Sequence, residues 1–313
     1  MIEEVDGRTA PEPALAALHL VESETDPHDF GEPPRPLAEA IASYRHPGSA
    51  VRRRWLATEG GEPAGAGILS LYGGSFAMGY VLVRPRFRRR GIGRTLFEEV
   101  VTAAHAGGLV SFFGEHSTPD GAAFAHAVGA VDDQRHVVSV LDLRTADLPE
   151  PRPPDGVELR SWVGASPDEL VESLVRARNA MADAPVPGGL DMPRWTVDEQ
   201  RRDEERFVGR AMPQHVTVAV ECGEVVALTG LQVPNAAGAR LVHTDDTATV
   251  PHARGRGLAV CVKLESLRRL RAERPGIERV ATKNAEQNEA MLAVNRKLGF
   301  APVLVLTSSV VTL

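Results

Sequence analysis

Along this chain the spacing of apolar positions changes period several times, and each change marks an element. From Gly257 they recur as Leu258, Cys261, Leu264, Leu267 and Leu270, the spacing of one broad helix face. Just upstream, 215–220 and 225–231 alternate or run apolar around a Cys222-Gly223 turn, which predicts a hairpin. Strands over 157–162 and 279–282, a strand ending at Thr249-Val250, and helices over 167–181, 196–207 and 288–298 fill the intervals, and an apolar run over 303–313 closes the chain. The first half follows the same plan from Trp55 onward, with Ile92, Leu96 and Val100 at the spacing of a buried helix face. Ahead of it a helix around 13–21 is readable, and no opening strand.

The shared plan is a repeat. Glu59-Gly60-Gly61-Glu62 recurs as Glu221-Cys222-Gly223-Glu224 at an offset of 162, Arg88-x-x-Gly91-x-Gly93 as Arg254-x-x-Gly257-x-Ala259 at 166, and Gly129-Ala130 as Gly299-Phe300 at 170. Three anchors in one order, drifting by four residues per interval, point to duplication. The seam is expected at 148–156, where four prolines deny helix and sheet continuation. That divides the 313 residues into a domain over 1–147, a linker, and a domain over 157–313, each long enough for its own core.

Composition narrows the class. Hydrophobic residues make up 43% and no apolar run reaches membrane-spanning length, while the start MIEEVDGRTA carries acid where a signal peptide carries base. A cytoplasmic protein without a membrane role is expected. A net charge of -7 argues against nucleic acid as the main partner, even beside the arginine run at Arg84, Arg86, Arg88, Arg89, Arg90 and Arg94, in which Phe87 is a lone aromatic and no series of stacking rings is interleaved. Only Lys263, Lys283 and Lys297 are lysines. Cys222 and Cys261 form no framework and no CxxC pair, so buried free thiols are expected and no metal.

Chemistry concentrates between strand and helix: Val81-Leu82-Val83-Arg84-Pro85-Arg86-Phe87-Arg88-Arg89-Arg90-Gly91-Ile92-Gly93 in the first half, and Thr249-Val250-Pro251-His252-Ala253-Arg254-Gly255-Arg256-Gly257-Leu258-Ala259 in the second. Glycines there let backbone amides face one point beside a helix N-terminus, an anion cradle suited to a pyrophosphate. The P-loop lysine and the dinucleotide GxGxxG with its downstream acid are both absent. These segments resemble the Q/R-x-x-G-x-G/A signature of the GNAT (GCN5-related) N-acetyltransferases. Asn284, Asn288, Asn295 and the Leu298-Gly299-Phe300 ending resemble that family's later asparagines and terminal LGF. The likeness covers nearly all of 157–313 and, more weakly, about 50–143, and the tandem layout is similar to that of mycothiol synthases and other actinobacterial double-GNAT proteins.

The resemblance implies an α/β (α+β) fold of two GNAT domains in tandem, each a mixed, mostly antiparallel, splayed sheet flanked by helices. It implies acyl-CoA-dependent N-acyl transfer, with acetyl passing from acetyl-CoA to the amine of a small molecule by direct attack in a ternary complex, in a monomer or homodimer. The cofactor would meet Thr249, Val250, Arg254, Gly255, Arg256, Gly257, Leu258, Ala259, Asn284 and Asn288 in the second half, and Leu82, Val83, Arg88, Arg89, Arg90, Gly91, Ile92 and Gly93 in the first. The thioester oxygen would meet a strand amide near Thr249-Val250 or Leu82-Val83.

An ammonium acceptor must lose a proton before attack. The second half offers Asp245 and Asp246 on its fourth strand; strict alternation lets only one face the acceptor unless a bulge intervenes, and Asp246 is preferred. The family's tyrosine, four residues before the terminal glycine, is missing: Asn295 and Ala125 stand there. The first half has no strand-four carboxylate, Gly114 and Thr118 replace its asparagines, and Glu115-His116 is its best candidate, so it reads as degenerate. The acceptor flap is expected over 181–195, with Asp183, Asp191 and Trp195 as contacts for a cationic amine. Two alternatives stand beside this: mycothiol-synthase-like acetylation of a cysteinyl pseudodisaccharide, and a CoA-binding sensor or scaffold without turnover.

Overall fold

A computed structural model describes the chain apart from residues 26–34, 47–49, 73–76, 184–193 and 237. In the first half the elements are β1 (Ile2–Glu4), α1 (Glu12–Thr25), α2 (Leu37–Arg45), β2 (Val51–Glu59), β3 (Glu62–Leu71), β4 (Ala77–Val83), α3 (Ile92–Ala106), β5 (Ser111–His116), α4 (Pro119–Ala127) and β6 (Val131–Asp142). The second half has β7 (Val157–Val163), α5 (Asp168–Asn179), α6 (Val197–Gly209), β8 (Gln214–Glu221), β9 (Glu224–Gln232), β10 (Leu241–Thr249), α7 (Leu258–Glu273), β11 (Arg279–Ala285), α8 (Glu289–Lys297) and β12 (Ala301–Thr312). Among the described residues no helix is long and apolar enough to cross a membrane.

Two compact units form. The first holds Met1–Arg135 and Leu306–Leu313, the second 136–183 and Arg194–Val305. Strand order in the first is β1-β2-β3-β4-β5-β12, antiparallel but for the parallel pair β4–β5. Period-two alternation on β2 sends Trp55 and Ala57 toward the Leu96 and Val100 face of α3, while Leu56 packs with Leu15, Leu18 and Tyr44 of α1 and α2. The second unit is ordered β6-β11-β10-β9-β8-β7, with β10–β11 its parallel pair. Leu170, Leu174 and Ala177 of α5 cover one face over Val216, Val218 and Leu228, and Leu258 and Val262 of α7 cover the other over Ala219 and Ala227.

The units depart from the halves that the repeat outlines. The expected seam at 148–156 runs inside the second unit, where Leu148 packs with Leu141 and Leu143. The unit boundaries fall at Arg135/His136 and Val305/Leu306 because each half lends its last strand to the other unit. β6 pairs β11 from His136↔Ala285 to Asp142↔Arg279, and β12 pairs β5 from Thr307↔His116 to Thr312↔Ser111. A strand pattern says that a segment joins a sheet; it does not say which sheet. The opening strand, unread in the sequence, is β1, three residues paired with β2 and showing two outward glutamates in place of an apolar run.

Candidate active site

β10 and β11 pair only at Leu241↔Arg279, Val242↔Val280 and His243↔Ala281. Beyond His243 each strand keeps its other neighbour, β9 or β6, and a fork opens between them. On the β9 side the register slips between Thr244↔Leu231 and Thr247↔Thr229, so Asp245 and Asp246 share Gly230 as their opposite number. Thr247 bonds Thr229 through their hydroxyls at 2.8 Å, and Thr244 lines a crevice with Thr229 and Lys263 of α7. Both acids between these threonines therefore emerge on the α5 face. This corrects the alternation argument that allowed only one of them there.

Arg178, near the end of α5, meets both. Its Nε and Nη2 lie 2.8 and 2.6 Å from Asp246 Oδ2, and Nη2 lies 3.9 Å from Asp245 Oδ2. Nη1 donates to Gln200 Oε1 at 2.7 Å and stands 3.7 Å from Asp203, which pairs with Arg206 at 2.6 Å. Burial works against the guanidinium charge, and Asp246, Asp245 and Asp203 outweigh it, leaving Arg178 raised. Asp245 has no such cation to itself: Gln232 Nε2 donates to its Oδ1 at 2.7 Å and Gln214 Nε2 to its Oδ2. Burial, then the Asp246 charge, pushes Asp245 up to about 6, while the preferred Asp246 is the one engaged by two nitrogens of Arg178.

At the mouth of the fork the chain makes a 3-10 turn over Pro251–Ala253 and enters α7 through Gly255 at φ +77° and Gly257 at φ +78°. The first amides of α7 have no intrahelical partner, and among the described residues no side chain caps them. A Cβ built on Gly255 or Gly257 would meet nothing within 4 Å, which leaves the cradle open. Val250 N–H donates to Val226 O at 3.0 Å; the ladder then turns the Thr249 amide toward the fork, so of the expected pair Thr249 is the one whose N–H faces it. Arg254 Nε bonds Thr249 O at 3.2 Å beside the cradle. Arg256 faces elsewhere, holding Glu221 of the β8–β9 hairpin through two bonds of 2.9 and 2.7 Å.

The asparagines separate into roles. Asn288 caps α8, accepting from Met291 N at 3.2 Å. Asn284 Oδ1 accepts from Asn295 Nδ2 at 2.7 Å, and the buried Asn295 Oδ1 has no hydrogen-bond partner among the described residues. An orphan acceptor beside a fork that ends in an open glycine turn at a helix N-terminus fits the amide-bearing pantetheine arm of CoA. Trp195, expected against a cationic amine, already stacks on the Arg178 guanidinium at 3.6 Å. Asp191 lies outside the described residues, and of Asp183 only the backbone is described, at the end of a 3-10 turn. Cys261 is buried as expected, its thiol pushed up by burial, whereas Cys222 is exposed in the hairpin turn at φ +51°.

The first unit repeats the cradle and not the acids. Arg89 at φ +63° stands where Gly255 does, and Gly91 at φ +83° opens α3 ahead of Ile92. Arg88 Nε reaches Val83 O at 3.2 Å and Arg90 reaches Glu59 at 2.8 Å, matching Arg254 and Arg256. Leu82 pairs Ala66, and a Cβ on Gly93 would come within 3.1 Å of Phe124. β4 keeps an unbroken register on β3, with Tyr80 in the place of Asp246. Thr118 caps α4 as Asn288 caps α8, and His116 is taken up by Ser309 at 3.0 Å and Asp132 at 3.3 Å.

Comparison with known proteins agrees with this geometry. A mycothiol acetyltransferase of Nocardia farcinica is 32% identical over 281 residues, 85% of either chain. One of Saccharomonospora viridis is 30% identical over 308 residues, covering 92% of this chain and 91% of that one. The chain belongs to the GNAT acetyltransferase family. The family's sequence pattern, described as Acetyltransferase (GNAT) family, matches residues 16–128, the half expected to resemble it more weakly. A tandem GNAT protein from the clavulanic acid biosynthesis pathway, solved without AcCoA, superposes with a TM-score of 0.83 at 25% identity over 100% of this chain and 98% of that one. A GCN5-related N-acetyltransferase from Sphaerobacter thermophilus shares the fold at a TM-score of 0.69 and 17% identity, covering 99% and 95%.

This tandem GNAT acetyltransferase thus carries functional neighbours that its motifs did not reveal. Arg178 continues the stripe of Leu170 and Leu174 at four-residue steps, and a cation on an apolar helix face was the signal for it. Gln200, Gln214 and Gln232 left no signal, since each sits in an ordinary amphipathic or alternating pattern.

Proposed function

We propose that the second unit transfers acetyl from acetyl-CoA to the amine of a small molecule by direct attack in a ternary complex. The cradle at Arg254–Ala259 would hold the pyrophosphate, the fork between β10 and β11 the pantetheine, and the α5 face the amine. Acetyl-CoA supplies an activated acyl carbon at the fork; the protein supplies orientation, the Thr249 amide for the thioester oxygen, and a base. An alkyl amine of pKa near 10 is only about a thousandth neutral at pH 7, so the base matters. Asp245 takes that role, holding the incoming ammonium and accepting its proton.

One observation carries the reading: the bulge seats two carboxylates at the head of the fork, and Arg178 neutralises Asp246 and leaves Asp245 to its amide partners. A cationic amine is the acceptor that this surplus negative charge favours. The relatives named mycothiol acetyltransferase support a cysteinyl pseudodisaccharide as a second acceptor class; Asn295 in place of the family's tyrosine speaks against a close match. Calorimetry with acetyl-CoA, then thiol release with a panel of amines on wild type and Asp245→Asn, tests the proposal. Heat with acetyl-CoA and turnover that depends on Asp245 support it, heat without turnover on any amine supports the sensor, and no heat sinks both.

A further inference from the structure

Lys263 lies within α7, 3% exposed, with its Nζ 5.1 Å from the Phe300 ring centre. Around it stand Thr229 and Leu231 of β9, Thr244 of β10, Ser266 and Leu267 of α7, and Phe300, none of them charged. Among the described residues no hydrogen bond or ion pair reaches the ammonium. A buried charge with a ring face beside it and neither hydrogen bond nor ion pair is costly and persists only where something repays it. The fold itself does not require it, since the same position in the first unit, 166 residues earlier, is Phe97, packed against Phe112 and Phe124.

Position suggests what repays it. Thr244 is the first residue past the last β10–β11 pair, so the lysine beside it stands at the closed end of the fork. It lies on the α7 face of β10, whereas Asp245 emerges on the α5 face. The two titratable groups flank the same strand at one level, on opposite sides.

We propose that Lys263 is the catalytic acid that protonates the leaving thiolate, a role that rests on acetyl-CoA lying in the fork. As the amine nitrogen bonds to the acyl carbon, the carbon–sulfur bond breaks. Sulfur leaves with the electron pair and takes a proton from Nζ, while Asp245 takes the proton released by the amine. Lys263 then regains a proton from water and Asp245 returns one, so the net transfer is one proton from amine to thiol. Burial pushes Lys263 down to about 8, close to the ordinary thiol value of about 8.5, which makes the step nearly balanced. It also fills the place left by the missing tyrosine, since Asn295 has no acidic proton to give.

The test needs no acceptor. Wild type and Lys263→Met are saturated with CoA, and the bound thiol is titrated by its ultraviolet thiolate absorbance between about pH 6 and pH 10. The bound thiol should titrate about one unit or more lower on wild type than on the variant. Desulfo-CoA, which lacks the sulfur, should bind both proteins equally. Lys263→Met should melt no lower than wild type, because it removes a buried charge; should it misfold, Lys263→Gln serves in the same titration. Equal thiol titration with CoA bound overturns the role of Lys263 and leaves the acetyl-CoA reading standing. Failure of wild type to bind CoA overturns both.

Discussion

Asp245 sets stability against function. Burial, with the Asp246 carboxylate second, raises it from 3.8 to about 6, so the folded state holds this proton more tightly than the unfolded chain does. Its contribution to folding is fully present below about pH 4 and is lost as pH rises through 6. A rise of about two units is worth about 3 kcal/mol at neutral pH, and the 20% exposure of the side chain trims this toward about 2 kcal/mol. Asp245→Asn removes the charge and keeps the shape, and the amides of Gln214 and Gln232 rotate to offer oxygen to the new N–H groups. Urea unfolding should find the variant about 2 kcal/mol more stable at about pH 7.5 and no more stable at about pH 4. The same variant should lose about 10²–10⁴ in kcat/KM, partly restored at high pH where the amine deprotonates unaided. A gain of equal size at both pH values refutes the electrostatic argument, and an unchanged rate refutes the base.

Gly257→Asp places a carboxylate where the first amides of α7 face the cradle and should abolish calorimetric acetyl-CoA binding in the second unit; Gly91→Asp asks the same of the first. Turnover lost in Gly257→Asp and kept in Gly91→Asp assigns the chemistry to the second unit, and the reverse pattern assigns it to the first. Asn288→Ala removes the cap on Met291 N and should cost about 1 kcal/mol in chemical denaturation with unchanged affinity for acetyl-CoA; weakened binding would make it a ligand. Arg89→Gly relieves a left-handed backbone at φ +63° and should stabilise by about 0.5 kcal/mol; a loss would show that the arginine side chain outweighs the strain.

Periodicity and glycine placement made the elements around the cradle legible. The apolar stripe from Leu258 to Leu270 gave α7, and the paired R-x-x-G motifs gave two cradles that both enter their helix through a left-handed glycine, Gly91 at φ +83° and Gly257 at φ +78°. The repeat anchors also proved to be partners: Arg90 with Glu59 and Arg256 with Glu221 join the hairpin anchor to the cradle anchor in each unit. Strand alternation misread Asp245 and Asp246, because a bulge is set by the pairing partner and leaves no period of its own. Lys263 was visible as one of three lysines, yet nothing local distinguishes a buried lysine from one that snorkels to solvent.

The lending of β6 and β12 has a consequence for anyone who cuts the gene. A fragment ending at the proline-rich seam keeps β6 without the β11 it pairs with and leaves β5 with one edge bare; the complementary fragment carries β12 without β5. Expressed alone, each piece presents an unmatched strand and an open sheet edge, the two features that drive aggregation. Co-expressed, the pieces should complement each other. On the ribosome the first unit likewise waits for β12 to be synthesised before its sheet is complete, and until then the β5 edge that β12 covers stays open.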